Sequence, residues 1–248
     1  MSKDLKILLS GWDNNPNEVT VRKIVGLDGR EKIQMRLDLG LFQMEIDGRP
    51  DGKRPHGYEC LLEMYTERRA QAESAGETLE LSNDECSDLR QEAMQYYHRY
   101  LSLFHLDDYF GVLRDTQRNL RVFDLIRDCA TDEHDRTSLE QFRPYVLMMN
   151  ARARACLSLE DHEFDVALDQ IEAGIQSIAD FFREIDRDEL IESCREIAFL
   201  EDWSERIRSN RPLSPEDRLR NELRSAVEAE DYERAAKLRD EIKHMVVS

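Results

Sequence analysis

Between Asp47 and Gly57 the chain sets three glycines, two prolines and four residues able to carry positive charge, Arg49, Lys53, Arg54 and His56, in eleven consecutive positions. Glycines let a backbone approach a phosphate or carboxylate closely. Guanidinium and ammonium groups add charge-assisted hydrogen bonds, so an anion-binding loop is the chemistry this segment could perform. Its spacing is neither that of a Walker A loop nor that of a dinucleotide fingerprint. Glycine and proline also gather wherever a chain reverses, and a structural turn accounts for the same composition.

Histidine offers less. His98 and His105 fall seven apart on one helical face with Asp107 and Asp108 close by, which supplies at most two or three ligands of a metal site. Among Tyr96, Tyr97, Tyr100 and Phe104, a histidine is more simply a residue at the edge of a core. His56 and Cys60 stand at i, i+4 on the first long helix with no second ligand pair. The runs Asp132-Glu133-His134-Asp135 and Asp186-Arg187-Asp188-Glu189 fall where helices should begin or end, as caps. No nucleophile elbow or acid–base pair is present, so neither catalytic residues, nor a metal, nor a cofactor is expected.

Composition narrows the partners. Asp and Glu outnumber Lys and Arg by 53 to 35, a formal charge of -18 over 248 residues, and no long basic run offsets it. Direct contact with nucleic acid is disfavoured. Five cysteines without a C-x-x-C pair argue for a reducing compartment, the cytoplasm. No stretch approaches the roughly eighteen apolar residues of a membrane span, and the apolar run after Met1 is too short for a signal peptide.

Three kinds of element must position these residues. From Val19 to Asp47 apolar residues alternate: Val19, Val21 and Val25, then Ile33, Met35, Leu37 and Leu39 after the turn-forming Asp28-Gly29. At Gly40 the phase shifts to Phe42, Met44 and Ile46, which predicts a turn or bulge and a third strand. A small antiparallel β-meander follows, its edge covered by the helix that starts near Tyr58. From about Leu79 to Ser209 the pattern is helical. Phe164, Ala167, Leu168, Ile171, Ile175, Ile178 and Phe182 form one stripe, and the preceding helix carries Leu147, Ala151 and Ala155. Tyr100-Leu-Ser-Leu103 followed by Asp108-Tyr109 matches Cys156-Leu-Ser-Leu159 followed by Glu163-Phe164 about fifty-five residues on, which predicts an internal repeat of helical hairpins. Phe164, Ala167, Ile171 and Gly174 resemble the second helix of a tetratricopeptide repeat, although the period exceeds that family's.

A further helical pair closes the chain. Ser214-Pro215-Glu216-Asp217 supplies an N-cap, a first-turn proline and two first-turn acids. Leu219, Leu223, Ala226 and Val227 form one stripe. After Ala229-Glu230-Asp231, a second stripe runs through Tyr232, Ala235, Ala236, Leu238, Ile242 and Met245. Two helices of this length bury too little surface to be very stable alone, and they call for a second hairpin.

Written out, the segment is Leu219-x-x-Glu222-Leu223-x-x-Ala226-Val227-x-x-Glu230-Asp231-Tyr232-Glu233-x-Ala235-Ala236-x-Leu238-Arg239-Asp240-x-Ile242. It resembles the UVR motif shared by the excision-repair proteins UvrB and UvrC, departing at Val227, where alanine is more usual, and at Tyr232, where phenylalanine is also common. Related motifs occur in Clp-type chaperone ATPases and in the activator of a protein-arginine kinase. The resemblance implies docking on a partner's UVR-like or similar hairpin, or on a second copy. It implies contact through Leu219, Leu223, Ala226, Val227, Tyr232, Ala235, Leu238 and Ile242, with Arg239 and Asp240 fixing orientation.

The expected organisation is thus mainly α: residues 1–57 as meander and basic loop, 58–209 as a TPR-like helical body, and 210–248 as proline-flanked linker and docking hairpin. The expected function is that of a non-catalytic cytoplasmic adaptor, serving excision repair or a chaperone–protease system, with no direct contact to nucleic acid or membrane. The alternative is an enzyme or anion-binding protein that sets the 47–57 loop against the helical body.

Overall fold

The computed structural model describes residues 5–15, 18–211, 215–228 and 231–246, with backbone alone at 215–218, 220, 221, 228 and 242–246. After a short helix α1 (Leu5–Leu9), strands β1 (Val21–Val25), β2 (Glu31–Leu37) and β3 (Gly40–Glu45) form an antiparallel sheet in the order β1-β2-β3. Val21 faces Met35 and Met35 faces Phe42 in an unbroken register. The phase shift at Gly40 is therefore the result of a two-residue turn, Asp38-Leu39, and no bulge intervenes. Val25, the last residue of β1, and Leu39, in the β2–β3 turn, both placed in the apolar stripe by alternation, are 70% and 94% exposed.

The pleat gives the sheet two different faces. Ile33, Met35 and Met44 are buried on one. On the other, Arg22 donates to Gln34 at 2.9 Å and Gln34 donates to Gln43 at 2.9 Å, while the Arg22 guanidinium lies 3.9 Å from the centre of the Trp12 ring.

The helices that follow are α2 (Leu61–Ser74), α3 (Asn83–His105), α4 (Tyr109–Cys129), α5 (Glu133–Thr137), α6 (Arg143–Glu160), α7 (Phe164–Glu184) and α8 (Arg195–Asn210). The sheet packs on α3 rather than on α2, the nearer helix in sequence. The physical reason lies in the stripe of α3, where Leu89, Ala93, Tyr96, Tyr100 and Leu103 are all buried. By contrast, α2 buries residues only in its first two turns.

α3 pairs with α4, α6 pairs with α7, and α4 packs on α6. In the second pair the backbones come so close that a Cβ on Gly174 would stand 2.3 Å from that of Ala151. The two hairpins turn alike. Asp107 (φ 56) and His162 (φ 60) occupy the left-handed region, and the next amide reaches back five residues, Asp108 to the Leu103 carbonyl at 2.9 Å and Glu163 to that of Ser158 at 2.8 Å. Such bonds satisfy carbonyls a helix end leaves open.

The chain divides into two compact units, 1–204 and 205–248, the division lying within α8. The second unit carries α9 (Pro215–Glu228) and α10 (Tyr232–Val246). No helix among the described residues is long and apolar enough to cross a membrane.

Candidate functional site

Among the described residues of the C-terminal hairpin, Ala226, Ala235 and Leu238 are buried, with Leu219 and Leu223 packed half-buried against them. Alanines at the contact let two backbones approach. Asp231 begins α10: its carboxylate accepts the Arg234 amide at 3.1 Å, and its own amide donates to the Ala226 carbonyl at 2.9 Å. An ion pair between Arg234 and Glu222 at 3.2 Å spans the helices, but both side chains are more than half exposed and it contributes little.

The residues implied as a docking face therefore divide. Leu219, Leu223, Ala226, Ala235 and Leu238 close the hairpin on itself. Val227 and Tyr232 face outward, 50% and 68% exposed, and Arg239, exposed, donates to the adjacent Asp240 at 2.8 and 3.0 Å. The side chain of Ile242, and Ser214, Ala229 and Glu230, lie outside the described residues.

The 47–57 loop differs from a free anion cradle. Arg49 is turned inward, its Nε 3.3 Å from both Asp51 and the wholly buried Glu92. Arginines of the helices clamp the loop backbone. Arg99 donates to the Glu45 and Gly48 carbonyls at 3.1 and 2.7 Å, and Arg114 donates to the Ile46 carbonyl at 2.8 Å and to the Asp47 carboxylate at 2.8 Å. Lys53 and Arg54 are exposed, and His56, at φ 51, sits in a short 3-10 turn before α2. Of the four cationic positions, Arg49 is committed internally and only Lys53, Arg54 and His56 are left at or near the surface. His56 and Cys60 also share no helix, because Cys60 is the extended residue just before α2.

His98 and His105 part company too. His98 packs against Phe42 with ring centres 4.7 Å apart and the planes tilted by 47°, and burial lowers its pKa below the ordinary histidine value. His105 lies at the end of α3; desolvation, with help from Arg152, lowers its pKa as well. Asp107 accepts from the Tyr109 hydroxyl at 3.0 Å and Asp108 caps α4 through the Gly111 amide at 3.0 Å. Among the described residues no group of three His, Cys, Asp or Glu side chains is gathered to hold a metal.

Sequence reasoning missed the ionic layer beneath the sheet. Arg99 meets Asp115 with two bonds, 2.7 and 2.8 Å, and Glu92 accepts from Arg118 and from the Leu61 amide at 2.9 Å. Tyr96 lies between Arg99 and Arg118, whose guanidiniums stand 4.8 and 4.1 Å from its ring centre. The signal was available. Glu92 and Arg99 fall on the same stripe as Leu89, Tyr96 and Leu103, and charges on an apolar stripe must find partners inside.

No curated protein and no solved structure matches the chain. The family model described as the UvrB/uvrC motif matches residues 217–245, so the hairpin formed by α9 and α10 is a UvrB/uvrC motif, a protein-interaction element carried behind a larger helical unit.

Proposed function

We propose that this protein is a non-catalytic adaptor that docks a partner through its C-terminal hairpin. The observation that carries the reading is the apolar surface the hairpin leaves open. Val227 and Tyr232 are exposed and Leu219 and Leu223 only half-covered, surface that a second hairpin would bury in a four-helix arrangement. The partner is a protein with a UVR-like or similar hairpin, in an excision-repair or chaperone–protease assembly, or a second copy of this chain. The acidic surface supports a protein partner over nucleic acid. Five free cysteines support work in a reducing cytoplasm. The helical pairs of the first unit, read as TPR-like, would carry the client side of the adaptor.

Affinity capture with the full chain and with a chain ending at Asn210 tests this. Partners lost only on truncation support docking by the hairpin. An identical set from both chains would refute it.

A further inference from the structure

β3 is one of the two edge strands of the sheet, and its Phe42, Gln43 and Met44 line a cleft together with Gln91, Met94, Gln95 and His98 of α3. The cleft measures about 320 Å³ and is lined also by Pro50 and Asp51. Three observations distinguish it from an ordinary surface groove.

The first is the edge itself. The Glu45 amide turns away from β2 to the Pro50 carbonyl at 2.9 Å. Counting back along the pleat from Glu45, Gln43 and Leu41 must also direct their amides and carbonyls away from β2, because antiparallel residues alternate between bonded and non-bonded pairs. The Gln43 side chain is tied across the sheet to Gln34 on the opposite face. What Gln43 presents to the cleft is its backbone. Among the described residues nothing pairs with these outward groups of Leu41 and Gln43.

The second is that two of the four buried side-chain polar atoms without hydrogen-bond partners among the described residues, Gln95 Oε1 and His98 Nδ1, fall here. Both residues line this same cleft from one face of α3. A buried acceptor left unmatched is destabilising. Gln95 already uses its amide nitrogen toward Asp51 Oδ2, at 3.5 Å.

The third is charge and shape. Among the described residues lining the cleft Asp51 is the one carboxylate, its Oδ1 shared by Arg49 and the Lys53 amide and its Oδ2 facing the cleft beside Gln95; Phe42, Met44 and Met94 supply an apolar bed, and the chain carries -18 overall. A side chain entering here must be long, with an apolar stem and several N–H donors at its tip.

We propose that the β3–α3 cleft binds an extended peptide segment of a partner protein, which adds as a strand to Leu41 and Gln43 and inserts one arginine side chain toward Gln95, His98 and Asp51. Strand addition supplies main-chain bonds, and the cleft supplies selectivity through alternate side chains. Arginine fits because its fork offers five donors on an aliphatic stem. The site is built entirely from residues 41–98 and owes nothing to the C-terminal hairpin, so it gives the adaptor a second point of attachment.

The test is a displayed library of random decapeptides selected on the full-length protein. The expected result is enrichment of arginine at one position between β-branched residues. The best peptide, fluorescently labelled, should then lose at least tenfold in affinity to Gln43→Pro, which removes an outward amide that the β2–β3 ladder does not use, and to Gln95→Leu. Should Gln43→Pro disturb the sheet, the same peptide N-methylated at alternate amides probes the edge with the protein untouched, and it should also bind at least tenfold more weakly. Failure to enrich arginine would overturn the assignment. So would a peptide indifferent to both Gln43→Pro and its own N-methylation, or N-acetylarginine amide competing as strongly as the peptide, since either removes strand addition.

Discussion

Arg99 and Asp115 form a two-pronged ion pair with both side chains sealed from solvent, 1% and 0% exposed, and the free end of the same guanidinium holds the carbonyls of Glu45 and Gly48. One arginine thus joins α3, α4 and the loop that leaves the sheet. A buried pair of this kind adds little over a well-packed apolar substitute, yet breaking one half leaves an uncompensated charge in the interior.

Asp115→Ala should therefore lower the stability of the first unit by about 3–5 kcal/mol, because it leaves the buried Arg99 guanidinium without a counter-charge. Urea unfolding followed by the fluorescence of Trp12 and Trp203 reads this unit directly. The double change Arg99→Met with Asp115→Leu should recover much of the loss. A loss below about 1 kcal/mol for Asp115→Ala, the level of an exposed pair, would contradict the described burial.

Gly174→Ala should destabilise by about 1–3 kcal/mol through overpacking against Ala151, where the new Cβ would arrive 2.3 Å from an existing one. Ala151→Gly in the same chain should restore part of that loss, since it opens the contact from the other side. Additive effects of the two changes, measured in a double-mutant cycle, would show that the helices do not meet at this point.

How far the fold could be read beforehand depends on how local its causes are. The paired turns at Asp107 and His162 were legible, because Tyr100–Leu103 and Cys156–Leu159 repeat with the acid and aromatic that follow. The meander was legible from its alternation, as was the hairpin from its two stripes. The helix beneath the sheet was not, since choosing α3 over α2 depends on tertiary packing rather than on sequence proximity. The role of Arg49 also escaped, because composition cannot distinguish a guanidinium aimed at solvent from one aimed at a buried carboxylate three turns into another helix. The docking face was visible as a stripe, but which of its residues close the hairpin and which remain outside was decided by how the two helices rotate against each other.

Glu85 links α3 to acid stability. Burial alone would raise its pKa, but bonds from Arg68 and from the amide and hydroxyl of Ser82 outweigh burial and bring it from the usual 4.5 to about 2. A carboxylate depressed in the folded state stabilises above its unfolded pKa, and that contribution is lost as pH falls through the folded value. Between about pH 4.5 and pH 2 the native chain should lose about 1–2 kcal/mol more than Glu85→Gln, a figure discounted for partial solvation. Parallel acid titrations of the two chains would count against the capping box formed by Ser82 and Glu85.

The most direct measurement compares partner capture by the full chain with capture by Val227→Asp and Tyr232→Asp, with helicity followed by circular dichroism. Both positions are exposed, so the hairpin should keep its fold while its outer surface turns acidic. Docking by the UvrB/uvrC motif predicts loss of the same partners in each variant with unchanged helicity, and loss of self-association in the ultracentrifuge if the partner is a second copy. Undiminished capture by both variants, still folded, would contradict the account.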